Sequence, residues 1–224
     1  MPTVDRQYYQ VVRPGGLIEA TLVAARDKIF ADFMTFMNPS ADTTLIDVGV
    51  SDVVSEAANV LERKYPWQNM ITACGLGEGV DFSEAFPAVR YRQIEPNIRL
   101  PFDDLSFDIA TSNAVLEHVG SSDNQKNFVR ELRRVARRVF ITVPNRFFPI
   151  EHHTSIPIVH YTNSGFRLAC AALGKTAWTD PANLILMSKS RLQDISKSVD
   201  GKKSIGYTGL RIGPLSSNLF LAIT

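Results

Sequence analysis

Cysteine is scarce. The 224 residues hold two, Cys74 and Cys170, without C-x-x-C spacing, which argues against a disulfide-stapled scaffold or a zinc ribbon. Charge of neither sign is in excess. The formal net charge is +1, so no global field draws the chain to nucleic acid or an acidic membrane. No run approaches the roughly 20 apolar residues of a membrane helix, and Met1 to Gln10 lacks the basic flank and apolar centre of a signal peptide. A cytoplasmic protein is expected. Internal repeats, low-complexity tracts and a G-x-G-x-x-G phosphate loop are also missing. What is present is a chain 45% hydrophobic and 21% charged, long enough for one well-buried domain.

The elements alternate. Residues 1–15 are polar and aromatic and run into a Pro14-Gly15-Gly16 loop. From Leu17 to Met37, Ile18, Leu22, Ala25, Ile29, Phe33 and Phe36 recur at steps of three and four, the stripe of an amphipathic helix. Asn38-Pro39-Ser40 stops it. A strand at 44–48, a helix at about 53–64, a strand from Asn69 to Cys74 and a glycine-rich bend at Gly75, Gly77 and Gly79 follow. Next come a short helix near 81–86 and strands at Val89–Ile94 and Phe107–Ala110. A helix at about 123–137, with Ser122 and Gln125 as its capping box, leads to the strand Val139–Val143. Strands alternating with helices predict a parallel sheet covered on both faces. The tail differs: Gly206–Ile212 and Asn218–Ile223 are too close for an intervening helix and predict an antiparallel hairpin. The expected organisation is one α/β domain: an arm and helix at 1–40, a core at 41–144, a helical cover insertion at 145–200 and a hairpin at 201–224. The arm could serve as a lid or dimer contact.

Open α/β sheets bind ligands beyond the carboxyl ends of their strands, so the loop Asp47 to Asp52 should touch a nucleotide-like cofactor. It has a single glycine, Gly49, a branched Val50, and carboxylates at Asp47 and Asp52. Negative charge disfavours a pyrophosphate and suits a cofactor carrying cations but no phosphate.

Two motifs sharpen this. Leu45-Ile46-Asp47-Val48-Gly49-Val50-Ser51-Asp52 is followed about fifty residues on by Leu100-Pro101-Phe102-Asp103-Asp104-Leu105-Ser106-Phe107-Asp108, then Thr111-Ser112-Asn113-Ala114-Val115-Leu116-Glu117-His118-Val119. In this order they resemble the class I S-adenosylmethionine-dependent methyltransferases, in particular the small single-domain, type 11-like group. The resemblance covers about residues 40–160 and, more loosely, the tail. It implies a Rossmann-like, doubly wound, mostly parallel sheet whose seventh strand inserts antiparallel, with S-adenosylmethionine as cofactor. It places Asp47, Gly49 and Ser51 at the first loop, with Ser51 where the family has a second glycine. Gly75, Leu76 and Glu78 fall at the second loop, Glu78 standing a few residues past the usual ribose-binding acid. Glu95 and Asn97 fall beside the adenine, and Ser112, Asn113 and Ala114 beside the methionine moiety. Pro144-Asn145-Arg146-Phe147-Phe148-Pro149-Ile150-Glu151-His152-His153-Thr154 resembles a signature of the same group at the substrate-facing edge.

On the acceptor side, His118, His152 and His153 are the candidate catalytic residues, able to serve as general base or to contact substrate. The adjacent pair His152-His153 lacks the same-face spacing of a metal-binding helix, so no metal site is expected. Phe147, Phe148 and Tyr161, with Ile150, Ile156 and Ile158, read as an apolar lid or as core. Arg130, Arg133, Arg134 and Arg137 share one helix face and read as solvated. The expected reaction is methyl transfer to a small-molecule, glycan-linked or lipid-linked acceptor; no nucleic-acid partner is favoured and the oligomeric state is open. Two alternatives stand beside it: a catalytically silent binding module, supported by the altered first and second loops, and an NAD- or nucleotide-sugar-dependent enzyme, supported by the alternating pattern alone.

Overall fold

The computed structural model describes residues 17–53 and 57–224, with side chains from residue 20. The expected N-terminal loop and lid or dimer arm therefore lie outside the described residues. Helix α1 (Leu17–Met37) precedes β1 (Leu45–Val48), α2 (Val60–Lys64), β2 (Ile71–Gly75), α3 (Val80–Ala85), β3 (Arg90–Gln93) and β4 (Phe107–Asn113). Then follow α4 (Ser122–Val135), β5 (Ala136–Pro144), α5 (Asn163–Ala172), α6 (Lys189–Ser196), β6 (Lys203–Ile212) and β7 (Leu215–Ile223). The seven strands form one sheet in the order β3-β2-β1-β4-β5-β7-β6. Strands β1 to β5 pair in parallel, and β7 runs antiparallel to both β5 and β6. This is the doubly wound sheet with a terminal hairpin that the sequence predicts.

The central strands read as unbroken apolar runs because both faces are covered. Successive side chains alternate between the faces. Ile46, Val48, Ala110, Val139, Ile141 and Leu221 pack against Val129 and Leu132 of α4 and Leu192 and Ile195 of α6. Leu45, Ile71, Ile109, Phe140 and Phe220 face Phe33 and Met37 of α1 and Phe82 of α3. Phe33 meets Phe140 edge-on at 5.6 Å. Segment 145–200 packs around a smaller cluster of Ile156, Phe166, Cys170 and Leu184. It is stitched to the sheet at Asn145, whose N–H donates to Ser217 O and whose side-chain amide donates to Ser216 O.

Three local expectations are corrected. The helix expected over 53–64 is regular only over Val60–Lys64, and residues 54–56 lie outside the description. Asn59 sits at φ 51 and its side chain bonds both Ser51 N and Ser51 O, so the helix begins after it. The cap of α4 is Ser121, which accepts from Asn124 N, not Ser122; Ser122 and Gln125 instead receive Arg191. The hairpin strands run closer together than expected, with only Gly213-Pro214 between them. The polar run Ser216-Ser217-Asn218 is buried strand. Ser216 donates to Thr208 O, and Ser217 accepts from Leu210 N across a bulge where Gly209 takes φ 76.

Candidate active site

In the strand order, β1 and β4 are the neighbours where the direction of winding reverses, the place where open α/β sheets bind ligands. A cavity of about 680 Å³ lies there, within the range of small-molecule sites (~300–1,000 Å³). Gly49 and Val50 after β1, Gly75 and Leu76 after β2, Glu95 and Asn97 after β3, and Asn113 and Ala114 after β4 form one wall. Leu22, Ala25 and Ile29 of α1, Asn124, Phe128 and Glu131 of α4, and His118, His152 and His153 form the other. No helix among the described residues is long and apolar enough to cross a membrane.

The first loop is fixed by backbone geometry. Gly49 holds φ 101, and a Cβ there would lie 2.2 Å from Val115 Cγ2. Its N–H and that of Val50 both donate to Cys74 O, at 2.8 and 3.1 Å. Asp52 does not face the cavity; its carboxylate accepts from Gly79 N and Phe82 N at the start of α3. The glycine bend after β2 wraps Tyr91: a Cβ at Gly75 would sit 2.5 Å from the Tyr91 hydroxyl and one at Gly79 2.1 Å from its ring. That hydroxyl donates to Gly77 O. These glycines thus answer first to a packed tyrosine.

Of the sequence-derived cofactor residues, Gly49, Gly75, Leu76, Glu95, Asn97, Asn113 and Ala114 meet at the cavity. Asn97 and Ala114 hold φ 59 and 55, a backbone region non-glycine residues seldom occupy. Four others stand apart. Ser51 is buried, its hydroxyl accepting from Val53 N. Ser112 donates to Val48 O at 2.7 Å and links β4 to β1. Glu78 is exposed and outside the cavity wall, because the bend curls over Tyr91 instead of folding back. Asp47 opens into a smaller chamber of about 60 Å³ shared with Glu62, which adjoins the main cavity through Gly49, Val50 and Asn113. Burial, then the Glu62 charge, hold the Asp47 carboxyl well above the ordinary carboxylate range. Burial pushes Glu62 up to about 7.

The three histidines converge, although two come from the cover and one from beyond β4. His118 Nδ1 bonds Asn183 O at 2.6 Å, and its Nε2 lies 3.0 Å from His153 Nε2. His153 Nδ1 meets Glu151 Oε1 at 2.9 Å. Glu151 also accepts from Thr154 N and Oγ1, each at 2.6 Å. Burial opposes protonation of His153, but the bond to Glu151 and the charges of Glu151 and Glu117 outweigh it and raise the imidazole. Burial, with the His153 charge, drives His118 down to about 3 and His152 to about 4. Glu151 is held at about 2, its bonds to His153 and Thr154 overcoming burial. Glu117 is pushed up to about 7 by burial, and its carboxylate oxygens have no hydrogen-bond partner among the described residues.

Sequence reasoning missed the α1 wall, Phe128 and Glu131. The stripe Leu22, Ala25 and Ile29 was visible as a helix face, but nothing local said that part of it borders a cavity. The four arginines are not one solvated helix face: α4 ends at Val135 and Arg137 lies in β5. Arg134 donates to Leu100 O, Phe102 O, Asp104 and Glu131, and Glu131 accepts from Leu100 N; together they clamp the Leu100–Phe102 turn. Phe102 packs edge-on against Phe107 at 5.2 Å.

The chain matches a methyltransferase domain over residues 50–139. No curated protein matches it in sequence. Solved structures of similar fold include a protein of Pyrococcus horikoshii OT3, with TM-score 0.62 and 12% identity over 97% of each chain. Magnesium protoporphyrin IX methyltransferase from Synechocystis PCC 6803, with bound S-adenosylhomocysteine, is similar at TM-score 0.59 and 11% identity, over 98% of this chain and 92% of that one. A SAM-dependent methyltransferase from Aquifex aeolicus is similar at TM-score 0.53 and 14% identity, over 92% of this chain and 93% of that one. At such identities the structural likeness speaks for the fold; the domain match speaks for the chemistry.

Proposed function

We propose that this class I S-adenosylmethionine-dependent methyltransferase transfers its methyl group to a small-molecule acceptor, free or linked to a glycan or lipid. The observation that carries the reading is the cavity of about 680 Å³ with two unlike walls. One wall is made by the loops at the ends of β1 to β4; the other mixes the apolar Leu22, Ile29 and Phe128 with Asn124, Glu131 and the histidine cluster. The residues present suit the cofactor. Backbone approaches closely at Gly49 and Gly75, Leu76 and Ile94 offer apolar surface for a base, and Glu95 and Asn97 stand at the rim. In its side chamber, Asp47 is a carboxyl that an arriving ammonium would help to ionise.

The cofactor supplies an electrophilic methyl on a sulfonium, so the protein's part is chiefly to orient the reactants and exclude water. Phe128, Leu22 and Ile29 exclude water on the acceptor side. In this reading His118, His152 and His153 touch the acceptor. His118 Nδ1 donates to Asn183 O, which leaves Nε2 as the atom able to receive a proton. That Nε2 already faces His153, so the acceptor's proton would enter a shared pair and not an isolated base.

Calorimetric titration with S-adenosylhomocysteine is the test. Saturable one-to-one binding is expected. No binding at millimolar ligand would favour the silent module, and thermal stabilisation by NAD but not by S-adenosylhomocysteine would favour the dinucleotide enzyme. Given an acceptor from a screen of methyl uptake, His118→Ala should lower kcat with little change in cofactor affinity.

A further inference from the structure

We infer that Glu117, His118 and His153 form a binding site for one divalent transition-metal ion, open toward the main cavity. Glu117 and His118 follow β4, and His153 arrives from the cover after β5, so the group exists only in the folded chain. One carboxylate oxygen and two imidazole nitrogens lie within 4.8 Å of one another. The two Nε2 atoms are 3.0 Å apart, and Glu117 Oε1 is 3.9 Å from His118 Nε2. Around a tetrahedral ion with ligand bonds near 2.0–2.1 Å, ligand atoms stand roughly 3.3 Å apart. The imidazoles would part by a few tenths of an ångström, and the carboxylate, within 4.8 Å of both nitrogens, would move in by up to about 1.5 Å to close the shell.

Three independent features favour an ion. Each Nδ1 is engaged behind the site, His118 with the Asn183 carbonyl and His153 with the Glu151 carboxylate. This is the backing that metal-bound histidines commonly have, and it turns each Nε2 inward. Two inward nitrogens at this distance need a proton or a cation between them. Glu117 is 1% exposed; the charges of His153 and Arg26 act on it, but no hydrogen bond reaches its carboxylate oxygens among the described residues, an arrangement that a ligated cation would relieve. Two imidazoles and a carboxylate, with positions left over, suit zinc and its first-row neighbours. Adjacency argues against a metal at His152-His153; the two imidazoles brought together are instead those of His118 and His153, 35 residues apart.

His118 and His153 both line the main cavity. The remaining positions would therefore take an oxygen donor of the acceptor, such as a hydroxyl, and with both Nε2 atoms on the ion the metal would take over from the histidine pair the task of making that hydroxyl acidic. This last point rests on the methyl-transfer reading; the metal site does not.

The test uses the full chain, stripped with chelator, reloaded with Zn(II) or Co(II) and dialysed. One equivalent of zinc by elemental analysis and a visible Co(II) d–d band of four- or five-coordinate intensity are expected. Glu117→Gln and His153→Ala should weaken Zn(II) binding about a hundredfold. Glu151→Gln, which keeps all three ligands, should weaken it about 10–100-fold. Circular dichroism shows whether each variant folds, and the wild-type measurement does not depend on them. Less than a tenth of an equivalent on the wild type, or equal metal on folded wild type and Glu117→Gln, overturns the site. Metal uptake without S-adenosylhomocysteine binding would retain the site and remove the acceptor role.

Discussion

Replacing Glu62 by glutamine removes one of two carboxyl groups that share a small chamber behind the first loop. Glu62 is fully buried, its oxygens lack hydrogen-bond partners among the described residues, and its carboxyl rises from 4.5 to about 7 on folding. Between those values the folded protein binds more protons at this site than the unfolded chain. Stability is therefore greatest below about pH 4.5, falls as the pH rises through the window, and levels off above about 7. At 1.36 kcal/mol per unit, the difference across the window is on the order of 3 kcal/mol. Glutamine stays neutral throughout. Burying its amide costs roughly 1–3 kcal/mol, but that cost is the same at every pH. The stability of Glu62→Gln relative to wild type should therefore improve by on the order of 2–3 kcal/mol between pH 5 and pH 8, and the loss of the Glu62 charge beside Asp47, which raises that carboxyl, acts in the same direction. Urea unfolding at half-unit steps of pH measures it. Curves for the two proteins that run parallel from pH 5 to 8 would refute a neutral buried Glu62.

Two further outcomes follow from the loop geometry. Glu95→Gln should weaken S-adenosylhomocysteine binding and Glu78→Gln should leave it unchanged in calorimetry, since of the two only Glu95 borders the cavity; the opposite order would place the main carboxylate contact in the glycine bend. Gly49→Ala should destabilise by about 1–3 kcal/mol through its positive φ alone, and more from the 2.2 Å approach to Val115. A thermal melt within a degree of wild type would show that the loop relaxes freely.

The sheet was legible because its central strands are short apolar runs separated by turn residues, and burial on both faces keeps them so. Helix starts were less legible where a side chain competes with the backbone. Asn59 bonding Ser51 delays α2, and Ser121 rather than Ser122 caps α4. The cavity wall formed by the loops was readable as far as it follows strand ends. Glu78 stands outside that wall, and sequence spacing does not reveal it because the cause is Tyr91 filling the bend. The histidine cluster was readable as three candidates but not as a group. Its geometry depends on how segment 145–200 folds back, and on the Asn145 and Glu151 contacts that hold it there.

The two outermost strands have a consequence for how this protein behaves in a crowded solution. β3 carries Arg90, Arg92 and Gln93, all exposed. β6 begins at the exposed Lys203 and is bent by the Gly209 bulge before Arg211. An unpaired strand edge invites pairing with another chain, and charged side chains and bulges are what discourage it. Adding a strand at the β3 margin would bring its partner against two guanidinium groups. At the β6 margin, a regular ladder would lose register at the bulge. The seven strands thus end in two poor templates, and the fold protects itself against edge-to-edge aggregation without closing into a barrel.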